Sequence, residues 1–384
     1  MIPYARPDLG ADDIQAVLEV LRTEWLTQGP LQAQFEDAIA RYCGVQYAVA
    51  VSSGTAALHL AYLALGLGPG QKAWTSPITF VATANAALHC GAAVGFVDID
   101  PRTYNLSPAA LKRELEAHPN DGPAIVIPVH FGGQSCDMEE ISRLTRPRGI
   151  AVVEDASHAM GGTYQERPIG CCQWSDAAIL SFHAVKIITT GEGGMILTNR
   201  ADLYESLIRL RTHGITRQDD LFQQPSHGPW YYEQIDLGFN YRLTDIQAAL
   251  GLSQVSQLTK FLARRCEIAA AYDEAFAELP LIRPWRDPKV SSSWHLYVIQ
   301  LVLDRIKKSH RQTFEELREA GIGVNLHYIP VHLQPFYRNL GFKPGDFPQA
   351  EKYYRGAITL PIFSRMTQDE LNFVIAQVRK VLLR

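Results

Sequence analysis

Seven short stretches in the first two-thirds of the chain read as strands: Tyr47–Ser52, Lys72–Ser76, Val94–Val97, Ala124–Val129, Ile150–Glu154, Ala177–Phe182 and Met195–Thr198. Several are apolar on consecutive residues. A strand with one wet face alternates apolar and polar side chains, whereas a strand covered on both faces does not. Helical spacings fill the intervals, as at Leu58, Tyr62 and Leu65. This alternation predicts an α/β fold with a doubly wound, mixed and mostly parallel sheet. Such sheets place their ligands at the carboxyl ends of the strands.

The texture changes near Arg242. Thr244 and Gln247 form a T-x-x-Q capping box that opens a helix reaching about Ala277. Thr367 and Glu370 open another, with Leu371, Ile375, Val378 and Leu382 on one face. Between them Trp294–Val302 and Gly323–Leu326 read as strands. The chain therefore divides into a large unit, residues 1–249, and a smaller C-terminal α/β unit, residues 250–384. A first helix over Asp12–Arg22 carries Ile14, Val17, Leu18 and Leu21 as an apolar stripe, and residues 215–236 read as a long loop.

Charge and cysteine content exclude several classes. There are 36 basic and 40 acidic residues, a net charge of −4, which argues against broad binding to nucleic acid or anionic membrane. From Tyr42 to Val97 the only formal charge is Lys72, but Pro69, Gly70, Pro77 and Asn85 keep the apolar runs far short of a membrane span. The N-terminus lacks the basic and apolar blocks of a signal peptide. Six cysteines form no CxxC pair, so no disulfide framework or zinc site is expected, and the expected location is the cytoplasm. His327 and His332 are separated by Pro330, which spoils a helical metal pair; no metal is expected.

Three constellations carry chemistry. Ser52-Ser53-Gly54-Thr55-Ala56 joins a strand to a helix; it suits a phosphate cradle, and equally an ordinary capped turn. Asp155 ends the strand Val152-Val153-Glu154, as a ligand-facing carboxylate or as a helix cap. Lys186 follows Ser181-Phe182-His183 and precedes Thr190-Gly191-Glu192-Gly193-Gly194, with no charged residue within five positions. Lone lysines are usually solvated, but one in apolar surroundings becomes a usable amine nucleophile. A phosphate cradle, a carboxylate for a ring nitrogen and a reactive amine together are what pyridoxal 5'-phosphate needs. Phe80 is either the aromatic cover for the ring or a plain core residue.

The set SSGTAAL, SPITFVATANA, VVEDASHAMGG, SFHAVKIITTGEGGM and DLGFNYRLTDIQAALG resembles the DegT/DnrJ/EryC1/StrS sugar-nucleotide aminotransferases, which are fold-type I pyridoxal phosphate enzymes like aspartate aminotransferase. The likeness runs from about Tyr4 to the C-terminus. It implies that Lys186 bonds to the cofactor's aldehyde, that Asp155 pairs with its ring nitrogen and that His158 lies beside the ring. Gly54, Thr55, Ala56 and Ser181 would hold the phosphate. Asn240 would reach the phosphate from a neighbouring subunit, which makes the working unit at least a homodimer. Tyr4, Glu24, Trp25, Leu26, Thr27, His183, His327, Tyr328, Ile329 and Pro330 correspond to sugar-nucleotide contacts. Within the family, SFHAVKIITTGEGG and the segment from Leu326 most resemble the members that aminate C4 of a UDP-linked 4-keto sugar, with L-glutamate as donor, on the pseudaminic acid pathway. The alternatives are a 3- or 4-aminotransferase acting on a dTDP or GDP sugar, and a non-catalytic binding module on the same scaffold.

Overall fold

The computed structural model describes residues 1–383. Its central sheet has seven strands in the order Tyr47–Val51, Gly194–Thr198, Ala177–Ser181, Ala151–Asp155, Ile125–Ile127, Lys72–Thr75 and Ala93–Phe96. The five from Ala177–Ser181 onward run parallel, and Gly194–Thr198 is antiparallel to both its neighbours. The consecutive apolar runs are explained by what lies on each face. Val49 and Val51 pack into a core shared with the helices Gly54–Ala64 and Val81–His89. Ala48 and Ala50, pointing the other way, pack with Pro30–Cys43 and Asp245–Ala275.

The C-terminal part has a three-stranded antiparallel sheet in the order Leu281–Ile282, Tyr297–Leu301 and Ala357–Leu360, covered by helices His310–Glu319 and Gln368–Leu382. The buried residues of its core all lie between 268 and 382. We propose the division 1–249 and 250–384 on that basis, with the helix Asp245–Ala275 running between the two units. Both capping boxes form: Thr244 accepts from the Gln247 amide at 3.2 Å, and Thr367 from the Glu370 amide at 3.1 Å. The N-terminus crosses over. Gly323 donates to the Ile2 carbonyl and Ile362 to that of Tyr4, which brings Tyr4 to the junction of the two parts.

Three expectations are corrected. The helix Ala11–Val20 buries Asp13 and Val20, while Ile14 is 60% and Leu18 41% exposed. Its polar edge is the docked one, because Gln254 of the long helix donates to Asp13 at 2.8 Å. Gly323–Leu326 is no strand; only Asn325 bridges Thr359. Residues 215–236 are not wholly loop, since Ile215–Thr216 pairs with Glu233–Gln234.

Candidate active site

The carboxyl ends of the sheet converge on a cleft of about 590 Å³ between the two parts. Val51 and Ser181 both end opposite Gly194, so the turn after the first strand lies beside Ser181. This approach demands glycine, because a Cβ on Gly194 would sit 2.3 Å from the Ser53 carbonyl oxygen. Ser53 caps the next helix, its hydroxyl accepting from the Ala56 amide at 3.1 Å. The amides of Gly54 and Thr55 belong to that helix's first turn, where no intrahelical carbonyl reaches them and the helix end is positive. A Cβ on Gly54 would meet Ser181 Cβ at 3.0 Å and Oγ at 3.2 Å, so only a bare backbone keeps this corner open. Ser53, Gly54, Thr55 and Ser181 line the cleft, whereas Ala56 is buried beneath it.

Lys186 reaches the cleft from a loop closed at its neck: Phe182 donates to the Gly193 carbonyl at 2.8 Å and Thr190 to that of Phe182 at 3.0 Å. Ile187 and Ile188 anchor the loop in the core. Burial lowers the Lys186 ammonium from 10.5 to about 8, with nearby Asp155 opposing the shift. Asp155 is buried, and each of its oxygens has a neutral donor: Thr83 Oγ1 at 2.7 Å and the Ser157 amide at 3.1 Å.

Opposite stand His158, His295, His327 and Tyr328. Burial and the Lys186 charge push His158 well below its ordinary value, and His327 to about 3, so both imidazoles are neutral. The Gly132 amide donates to His158 Nδ1 at 3.4 Å, which assigns the ring proton to Nε2, 3.1 Å from the Tyr328 hydroxyl. His327 Nδ1 bonds Thr359 at 2.9 Å, while His332 turns to Glu351 at 3.0 Å. His295 packs on His158 with ring centres 4.4 Å apart. Phe80 is 59% exposed at the cleft, 6.1 Å from the Tyr328 ring, and is no core residue.

The cleft thus brings together Tyr4, Gly54, Thr55, Phe80, Asp155, His158, Ser181, His183, Lys186, His327 and Tyr328. It does not include Glu24, Trp25, Leu26, Thr27, Asn240, Ile329 or Pro330; all of these except buried Pro330 are exposed. Sequence reasoning missed Thr79, Thr83 and His295. The two threonines sit four apart in SPITFVATANA, a spacing that puts both on one side of a helix start; nothing in the local pattern marked His295.

Fold and site define a fold-type I pyridoxal phosphate aminotransferase. The DegT/DnrJ/EryC1/StrS aminotransferase family matches residues 7–379, and the chain belongs to it. It is 41% identical over 383 residues to the spore coat polysaccharide biosynthesis protein SpsC of Bacillus subtilis, covering 99% of this chain and 97% of that one. It is 38% identical to the UDP-4-amino-4,6-dideoxy-N-acetyl-beta-L-altrosamine transaminase of Campylobacter jejuni, covering 97% and 96%. Helicobacter pylori PseC, an aminotransferase of pseudaminic acid biosynthesis, superposes with a TM-score of 0.91 at 31% identity over 100% of this chain and 99% of that one. The putative sugar aminotransferase Spr1654 of Streptococcus pneumoniae, solved in a PLP form, superposes at 0.89 with 28% identity over 100% and 98%. Pyridoxal phosphate is the cofactor of this family. The residues here fit it: a corner that a single Cβ would fill, a buried carboxylate held by neutral donors, and an amine depressed to about 8.

Proposed function

We propose that this chain transfers the amino group of L-glutamate to the 4-keto carbon of a UDP-linked, N-acetylated dideoxy sugar, forming UDP-4-amino-4,6-dideoxy-N-acetyl-beta-L-altrosamine. The observation that carries the aminotransferase reading is Lys186, an amine neutral above about pH 8 in the same cleft as Asp155. The sugar assignment draws support from the Campylobacter and Helicobacter relatives.

When bound, pyridoxal phosphate supplies an aldehyde to carry the amino group and a ring to take up electrons. Lys186 Nζ would be the group that holds the cofactor by that aldehyde and, once free of it, would take up and return the proton at the carbon bearing nitrogen. Asp155 keeps a positive charge on the ring nitrogen. Gly54, Thr55 and Ser181 hold the phosphate, with Ala56 shaping the turn beneath. His158 and Phe80 fix the ring. Tyr4, His183, His327 and Tyr328 contact the sugar nucleotide. Asn240 reaches the phosphate from a second copy of the chain, so the working unit is a homodimer, and Glu24–Thr27, Ile329 and Pro330 are further positions along the sugar nucleotide.

The 41% identity to SpsC favours one alternative, a different nucleotide sugar on a cell-surface polysaccharide route. Incubation with L-glutamate and UDP-, dTDP- or GDP-linked 4-keto sugars, followed by product NMR, decides between them. A 4-amino product from the UDP sugar alone is expected; amination of only the dTDP or GDP sugar, or at C3, overturns the assignment.

A further inference from the structure

Asp155 owes its second hydrogen bond to a residue 72 positions away. Thr83 Oγ1 lies 2.7 Å from Asp155 Oδ2, and Thr79 Oγ1 lies 2.8 Å from Thr83 Oγ1. Both threonines are buried and both line the cleft. An ionised carboxylate only accepts, so Thr83 donates to Asp155 and takes the Thr79 proton in turn. The two hydroxyls form a polarised chain ending on the carboxylate. A helical threonine ordinarily turns its hydroxyl back to a carbonyl three or four residues earlier; that of Thr83 goes to another element instead. The backbone beneath is fixed independently, with Tyr62 Oη donating to the Thr83 carbonyl at 3.1 Å.

We propose that Thr83, backed by Thr79, is a positioning residue for transamination: its hydroxyl fixes the orientation of the Asp155 carboxylate that would meet the cofactor's ring nitrogen. This rests on the reading of Asp155 given above. A hydroxyl on a carboxylate is a charge-assisted bond, about twice as strong as a neutral one. Its loss leaves a buried oxygen with one donor fewer, and nothing else among its side-chain partners replaces it.

The test uses holoenzyme loaded with ring-¹⁵N pyridoxal phosphate, with Thr83→Val, Thr83→Ser, Thr79→Val and Asp155→Asn compared to the parent. In Thr83→Val the ring-nitrogen signal should move from its protonated toward its neutral position, and the half-reaction with L-glutamate should slow about 10- to 100-fold, the range for a hydrogen bond to a charged group. Thr83→Ser should restore both to within about threefold, and Thr79→Val should fall between, as loss of the outer member of a cooperative chain. If Thr83→Val does not fold, the Ser variant and Thr79→Val carry the comparison. An unmoved nitrogen signal in Thr83→Val beside a moved one in Asp155→Asn overturns the role of Thr83 alone; a Thr83→Ser enzyme as slow as Thr83→Val does the same. An unmoved signal in Asp155→Asn overturns the reading of Asp155 itself.

Discussion

His158 Nε2 and the Tyr328 hydroxyl lie 3.1 Å apart, joining a strand-end turn of the large sheet to a loop of the C-terminal part. The bond closes the cleft's far wall from both sides. Tyr328→Phe keeps the ring but leaves the buried His158 N–H without an acceptor. A loss of about 1–2 kcal/mol in unfolding free energy is expected, the usual cost of orphaning a buried donor. Urea denaturation of the apoenzyme measures it, and unchanged stability would contradict the contact.

Lys186 should behave unlike any surface lysine. Its depressed value makes half the amine free near pH 8 rather than near 10.5. Reductive labelling of the apoenzyme with a small aldehyde, read by peptide mass, should show a Lys186 midpoint near pH 8. The linkage has a definite sign. Between about 8 and 10.5 the unfolded chain holds a proton that the folded amine has released, so this residue's contribution to apoenzyme stability rises with pH across that window. A labelling midpoint above pH 10 would show that burial does not reach the amine.

Gly54→Ala sets two effects against each other. Alanine favours the helix by up to about 1 kcal/mol, while its Cβ arrives 3.0 Å from Ser181 Cβ. The apoenzyme should therefore melt within a few degrees of the parent. Cofactor affinity, measured by titrating apoenzyme with pyridoxal phosphate, should fall about tenfold or more, a loss of about 1.4 kcal/mol or more in binding. Undiminished affinity would remove Gly54 from the phosphate site.

Asn240 is exposed and lies outside this chain's cleft, on a bridge with Thr212. If it serves a neighbour's site, Lys186→Ala and Asn240→Ala chains, each impaired alone, should complement on mixing. In a two-fold dimer, random hybrids carry one intact site, so about a quarter of parental activity should return. Failure of verified hybrids to regain activity would sink the shared site.

The sheet was legible because burial on both faces writes itself into consecutive apolar residues such as Val49–Val51. Asp155 was legible because it ends a buried strand, and Lys186 because it lies between a strand and a glycine-rich turn with no charged residue within five positions. Other features were hidden for physical reasons. The stripe of Ile14, Leu18 and Leu21 has helical spacing, but spacing cannot say which face docks, and the buried polar pair of Asp13 and Gln254 decided it. Gly323–Leu326 has strand-like residues but pairs only at Asn325, since its neighbour Gly323 is tied to Ile2. Thr83 and His295 owe their places to tertiary contacts with Asp155 and His158, which no local pattern records.

The most direct test is the visible absorption spectrum of purified protein reconstituted with pyridoxal phosphate, recorded before and after L-glutamate and again after a UDP-linked 4-keto sugar. The account predicts a visible cofactor band that glutamate bleaches and the keto sugar restores. A band that forms but is untouched by glutamate would contradict glutamate-dependent transamination, and absence of any cofactor band would contradict the assignment of Lys186.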